Sequence, residues 1–174
     1  MRSLRLLATP TIEPISLQEA KLHLRVDGTS EDFAILNKVT ASRQLVELYT
    51  RRALIAQTWR LSLDKSTLEI ALPWVPLAQV ISVVLDEAVV SASDYHVDLD
   101  GARVIPLRQW PSPLFPGGLK IDYIAGYGNL SSDVPSVFRE ATLQTLGHLY
   151  TNREAQELPI GVKQLLAGWR VLRV

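Results

Sequence analysis

The hydrophobic residues of this chain follow a helical period at both ends and an alternating period in the middle. Residues 16–52 and 135–170 place apolar side chains at three- and four-residue spacing, as amphipathic helices do. Between them, Trp59, Leu61 and Leu63 alternate with polar residues, the pattern of a half-buried strand. This order predicts an α+β fold, with a small helical bundle formed by N- and C-terminal helices and a β-rich antiparallel insertion between them.

Capping and turn residues mark where the predicted helices begin and end. Ser16 and Glu19 have the spacing of a capping box, so a first helix begins there and ends near Val26. A second helix is predicted to continue to about Arg52, and a later one to begin at Pro135. The second helix is expected to bury one apolar face, formed by Phe33, Leu36, Val39, Val46 and Tyr49.

The β-rich insertion is predicted over about residues 55–127, as short strands divided by proline and glycine turns. The strands are expected at 57–64, 68–72, 80–85, 95–97, 103–105 and 119–124. With 174 residues, the chain is long enough for one substantial core, so a single domain over residues 1–174 is predicted.

Composition excludes several classes of function. The chain has no cysteine, which excludes disulfides, a thiol nucleophile and a cysteine-based zinc site. It carries 18 basic and 18 acidic residues, and this zero net charge disfavours bulk nucleic-acid binding. No apolar run approaches the roughly 20 residues of a membrane span, and the N-terminal stretch lacks a signal-type core, so we expect a protein made in the cytoplasm. Zero net charge with a mean hydropathy of +0.11 indicates surface that a partner covers.

Catalytic and cofactor motifs are absent from the sequence: GxSxG, P-loop, GxGxxG and HExxH do not occur. We therefore expect no enzyme and no cofactor. One alternative is a small metal- or ligand-binding module, or an enzyme, that uses a strand face with Asp94, His96 and Asp98. The competing interpretation of that face is an ordinary solvated strand, followed by a hairpin turn.

Two loops are candidate contact or ligand sites, one because of its aromatic residues and the other because of its glycines. The proline-stiffened loop 109–116 carries Trp110 and Phe115, which either contact another protein or fold back on their own sheet. In Gly126-Tyr127-Gly128 the glycines follow a half-exposed strand, and no phosphate-binding lysine follows them. We predict a structural hinge there, in which both glycines permit positive φ where the insertion returns to the bundle.

A series of short motifs, in order along nearly the whole chain, resembles the head–tail connector (adaptor) proteins of tailed bacteriophages and gene transfer agents. The first motif is IEPISLQEAKLHLRV at residues 12–26, and the second is YTRRALIAQTW at 49–59. The others lie at residues 72–77, 94–98, 123–128, 133–135, 148–155 and 158–162.

The resemblance implies structural work in the neck of a particle, at the head–tail junction. Such proteins form a ring, a dodecamer in the particle, that docks under the portal protein. The ring presents the surface on which a stopper or tail-completion protein assembles. Double-stranded DNA passes through the lumen without sequence-specific binding. The resemblance carries over no catalytic residue and no membrane contact, and it implies assembly in the cytoplasm of a bacterial host. A DNA-binding accessory protein is a further alternative, which the balanced charge disfavours.

Within this resemblance, the C-terminal end is expected to dock on the portal. The residues concerned are Leu165, Trp169, Val171 and Leu172, since an exposed apolar and basic end needs a partner. Deletion of residues 169–174 is expected to leave the fold intact and to block attachment. The helical bundle is expected to form much of the contact between subunits. Trp110 and Phe115 are expected to face neighbouring subunits or tail-side proteins.

Overall fold

The structure is a computed structural model that describes residues 2–64, 68–108, 110, 118–152 and 154–171. Helices and antiparallel strands both occur in this part of the chain, which confirms the α+β class. None of the helices there combines the length and the apolar character needed to cross a membrane.

The chain divides into two compact units. The β unit contains Met1–Pro10 and Ala56–Tyr127, and the helical unit contains Thr11–Ile55 and Gly128–Val174. Each unit is therefore built from two separate stretches of sequence.

The β unit contains two antiparallel sheets. The larger sheet has the strand order β1-β2-β8-β4-β5, and the smaller one has the order β3-β7-β6. The strands are β1 (Arg2–Ala8), β2 (Gln57–Leu63), β3 (Ile70–Ala71), β4 (Leu77–Leu85), β5 (Ala88–Val89), β6 (Tyr95–Asp98), β7 (Arg103–Pro106) and β8 (Leu119–Ala125).

The core of the β unit lies on one face of the larger sheet, because apolar residues alternate along its strands. In β8, Leu119, Ile121 and Tyr123 are buried, whereas the residues between them are partly exposed. The segment after β3 covers this face: the rings of Trp74 and Trp59 stack with centroids 5.0 Å apart. The backbone N–H of Trp74 also donates to the hydroxyl of Tyr123 at 3.4 Å.

Two observed strands, β1 and β5, were absent from the prediction. All seven residues of β1 are exposed, so neither of its faces shows the apolar–polar contrast of a half-buried strand. β5 has only two residues, both exposed. Strand β3 is also shorter than predicted, and β4 begins earlier, at Leu77, because two register irregularities interrupt its alternation.

The helical unit contains α1 (Leu17–Leu24), α2 (Asp32–Thr50), α3 (Ser136–Thr151) and α4 (Ile160–Leu165). The predicted capping box begins α1: the hydroxyl of Ser16 accepts the N–H of Glu19 at 3.2 Å, and the carboxylate of Glu19 accepts the N–H of Ser16 at 2.9 Å. One core cluster is formed by residues from α1, α2, α3 and the segment before α1, namely Ile15, Ala20, Ile35, Val39 and Leu146.

The predicted buried face of α2 is wrong in its first two turns. Phe33 is 78% exposed and Leu36 is 41% exposed, whereas Val39 and Val46 are buried as expected. The buried face includes polar residues, among them Arg43, which an apolar pattern does not count. The helix is therefore rotated relative to the prediction, and it carries Phe33 and Leu36 on a second, exposed side.

Candidate functional site

The C-terminal end of the helical unit carries exposed apolar side chains. Leu165 is 39% exposed and Trp169 is 41% exposed, and Ile160 at the start of α4 is 74% exposed. Val171 is half-buried, and Leu172 lies outside the described residues.

Trp169 is fixed in place although much of its ring is exposed. The ring meets that of the buried Phe138 edge-on, with centroids 5.3 Å apart. The Nε of Arg52 donates to the backbone carbonyl of Trp169 at 2.8 Å. Deletion from residue 169 onward would remove these contacts together with the exposed ring, so it is not a clean test of docking.

Arg170 and Val171 contact the C-terminal end of α2. The guanidinium of Arg170 lies over the ring of Tyr49, 4.8 Å from its centroid. The N–H of Val171 donates to the carbonyl of Thr50 at 3.0 Å. The segment up to Val171 is thus held against the helical unit by contacts within the chain.

Trp110 lies inside the β unit. It is 7% exposed, and its ring meets that of Tyr95 edge-on with centroids 6.5 Å apart. This placement corresponds to the alternative in which the loop folds back on its own sheet. Phe115 lies outside the described residues.

The division between the two units falls between Tyr127 and Gly128, within the predicted hinge. Gly126 has a φ of 144°, so the conformational reason holds for it. For Gly128 that reason is wrong, because its φ is not positive. A Cβ on Gly128 would instead lie 2.6 Å from Cγ of Asp133, whose carboxylate accepts the N–H of Leu130 at 2.9 Å. Gly128 is required by this close approach.

The acidic face proposed for metal binding is engaged in a turn. Asp94 belongs to a short 3-10 helix before β6 and not to the strand that carries His96 and Asp98. Asp98 accepts the N–H of Gly101 at 2.8 Å and Nη2 of Arg103 at 2.7 Å. Both contacts lower the pKa of Asp98, and the hydrogen bond from the N–H of Gly101 has the larger effect. Among the described residues, no group of three metal-binding side chains could hold an ion.

A buried ionic network in the helical unit was missed by the sequence analysis. Arg43 donates from Nη1 to Glu47 at 2.6 Å and from Nε to Glu13 at 2.7 Å. The other oxygen of Glu47 accepts the N–H of Leu54 at 2.8 Å, and Thr40 donates to Glu13 at 2.9 Å. The network thus connects α2 to Glu13, in the segment before α1, and to Leu54, in the segment after α2. Its one signal in the sequence is the Arg–Glu pair at i,i+4.

Part of the chain is similar to a family of phage proteins. A model of the family described as phage gp6-like head-tail connector protein matches residues 14–76. A search among curated proteins found no match.

Solved structures are similar over nearly the whole chain. A chain in the virion of a native gene transfer agent particle has a TM-score of 0.82 and 28% identity, and the similarity covers 98% of this chain and 96% of that one. A chain in the neck of an empty gene transfer agent particle, computed with C6 symmetry, has a TM-score of 0.81 and 27% identity, with 99% and 97% covered. A chain in the neck of a native particle, computed with C12 symmetry, has a TM-score of 0.75 and 26% identity, again with 99% and 97% covered.

Proposed function

We propose that this chain, a head–tail connector protein by family and by fold, is a structural subunit of the neck of a tailed phage or gene transfer agent particle. In this role it joins the DNA-filled head to the stopper or tail. The observation that carries the proposal is the similarity to a particle chain over 98% of this chain, at a TM-score of 0.82. The absence of catalytic motifs from the sequence agrees with structural work.

The chain acts as one of several copies in a ring, a dodecamer in the particle. The C12 and C6 symmetries of the similar neck structures support a ring. The portal protein lies on one side of this ring and a stopper or tail-completion protein on the other. Double-stranded DNA passes through the lumen, and a chain with zero net charge is suited to a channel that does not grip DNA.

The whole of residues 1–174 works as a single connector domain, in which the helical unit is a bundle and the β unit an insertion. Contacts between α2 and α3 and between α1 and α3 support the bundle. The bundle forms much of the contact between subunits. The exposed Phe33 and Leu36 on α2 supply apolar surface for a neighbour.

The C-terminal end docks on the portal through Leu165, Trp169, Val171 and Leu172. The exposed fractions of Leu165 and Trp169 support this, as do the contacts that hold the segment up to Val171. Phe115 is the residue proposed to contact neighbours or tail-side proteins. Trp110 itself packs on Tyr95 within the β unit, so Phe115 carries this part of the proposal.

The test is attachment of purified protein to portal rings, followed by negative-stain microscopy and co-sedimentation. Two variants change this end: Leu165→Lys, at a side chain that is 39% exposed, and a truncation that removes residues 172–174 but keeps Trp169 and Val171. We expect each to weaken attachment roughly tenfold, about 1.4 kcal/mol. Leu99→Lys is the matched control, because Leu99 is 51% exposed and lies in the β unit.

The results separate the connector function from the proposed docking through the C-terminal end. If wild-type protein forms no ring and does not bind portals, the connector function is refuted. If wild type binds, and both the lysine variant and the truncated chain bind equally well, the connector function stands and docking through the C-terminal end is wrong.

A further inference from the structure

In the described part of the chain, the larger sheet of the β unit ends in two edges that pair with no further strand. We propose that β1 of one copy pairs antiparallel with residues 77–82 of β4 in the next copy. The sheets of successive subunits then join edge to edge around the ring. This inference rests on the proposed ring function and names one of its interfaces.

The first free edge is the outer side of β1. Its inner side pairs with β2 from Arg2 to Ala8, and β1 is the end strand of the sheet order. Within the described residues, no other strand pairs with it, and all seven of its residues are exposed. Leu4, Leu6 and Leu7 are 37%, 36% and 40% exposed. Backbone groups on such an edge pair readily with another strand.

The second free edge is the N-terminal two thirds of β4. The short strand β5 pairs with β4 only at Val84 and Leu85, and the carbonyl of Val83 accepts the N–H of Val90 at 2.9 Å. Residues 77–82 pair with β8 on one side, and with no other strand in the described part of the chain. Ile81 in this segment is 50% exposed.

Strand direction makes these two edges compatible. Each step from β1 to β2, to β8 and to β4 is antiparallel, so β1 and β4 run in opposite directions. In a neighbouring copy related by a small rotation about the ring axis, each strand runs in nearly the same direction as in the first copy. Its β1 would therefore lie antiparallel to β4, and the alternation would continue without interruption. An odd number of strands between the edges would have produced a parallel junction.

A second copy is the occupant that fits best. A closed ring requires a heterologous contact between two different surfaces of the same chain, and the sheet presents two such surfaces at opposite ends. The free segments are similar in length, with seven residues in β1 and six in β4. Neither contains the lysine or proline that commonly protects an edge, and residues 77–82 carry no charge. Exposed apolar side chains lie on both.

The chain has no cysteine, so introduced thiols are the only groups that a thiol cross-linker can join. Register across the sheet places Arg5 and Ser82 on one face, through Arg60 and Asp122. Four double variants combine Ser3→Cys or Arg5→Cys with Gln79→Cys or Ser82→Cys. Each is assembled on portal rings, treated with a short thiol cross-linker and analysed on a denaturing gel.

We expect at least one double variant to give a ladder of covalent multimers that extends beyond the dimer, while all four single variants remain monomeric. Rings visible by microscopy without a ladder in any pair would overturn this interface and leave the connector function intact. Strong dimers from a β1 single variant would also overturn it, because they indicate a two-fold β1–β1 contact. If wild type forms no ring, the proposed function and this interface fall together.

A lysine pair of variants tests the same interface without cross-linking. Ile81→Lys places a charge on the proposed β4 edge and is expected to abolish ring formation. Val89→Lys is the control, since Val89 is 77% exposed in the same sheet but lies outside the free segment. Equal ring yields from both variants, with circular dichroism like that of wild type, would contradict the proposal.

Discussion

Replacement of Arg43 by methionine tests whether the buried network holds the helical unit together. Arg43 and Glu47 are each 5% exposed, and Arg43 joins Glu47 and Glu13 by contacts of 2.6 and 2.7 Å. Methionine keeps most of the volume of arginine and removes the charge. It leaves Glu47 buried without its counter-ion, while its carboxylate still accepts the N–H of Leu54 at 2.8 Å.

The expected cost is that of a buried charge that has lost its counter-ion. Such losses destabilise proteins by about 3–5 kcal/mol. For a chain of this size, each 1 kcal/mol corresponds to about 2–4 °C in Tm, so a fall of roughly 10 °C is expected. Glu47→Gln should cost less, about 1–3 kcal/mol, because the amide oxygen still accepts the N–H of Leu54 and Arg43 keeps Glu13.

Urea denaturation followed by circular dichroism at 222 nm measures the effect, since Arg43 lies in the helical unit. Arg60→Met is the matched control. Arg60 makes a similar two-bond pair with Asp122, at 2.7 Å for each bond, but its side chain is 41% exposed. Because its guanidinium reaches solvent, we expect this pair to contribute no more than about 1 kcal/mol. Equal losses in the two variants would refute the argument from burial.

The pH dependence gives a second check with a defined sign. Burial raises the pKa of Glu47, and the contacts with Arg43 and Leu54 oppose that rise. Removal of Arg43 should therefore raise it further. A carboxyl group whose pKa is higher in the folded state destabilises the fold only when it ionises. Its cost is therefore absent below the pKa of the unfolded state and appears as the pH rises through the pKa of the folded state. The loss in Arg43→Met should be larger at pH 8 than at pH 5, and a loss that grows toward acid pH would contradict this account.

Three further predictions concern the hinge, the acidic turn and the C-terminal end. Gly128→Ala should destabilise the fold in urea denaturation, and Asp133→Ala in the same chain should relieve part of that cost; additive losses would exclude the steric explanation. Because the pKa of Asp98 is lowered, its contribution is present above its unfolded value and lost as pH falls through the folded one. Asp98→Asn should therefore reduce the acid sensitivity of melting, and calorimetric titration of wild type with divalent metals should show no binding. Trp169→Ala should cost about 1 kcal/mol through its edge contact with Phe138, whereas Trp169→Phe should cost less.

The sequence predicted those elements whose burial contrast is strong. Strand β8 alternates between buried and partly exposed residues along its whole length, and the Ser16–Glu19 capping box is a local motif that needs no tertiary information. The inward placement of Trp110 and the Arg43 network depended on residues distant in sequence, which no local period contains. Gly128 was selected for the wrong reason, because its constraint is the position of Asp133 and not its own φ.

The error in the predicted burial of Phe33 and Leu36 has a physical cause. A helical period of apolar residues predicts that one face is buried. It does not tell whether that face is buried within the same chain or against a neighbouring protein. Phe33 and Leu36 follow the helical period of α2 and yet are exposed in the single chain, and Leu4 and Leu6 are exposed along β1. A chain with zero net charge has little electrostatic repulsion to keep such surfaces apart. We infer that the apolar residues left over after the single chain folds mark its assembly surfaces, on the outer side of α2 and along the edge of β1.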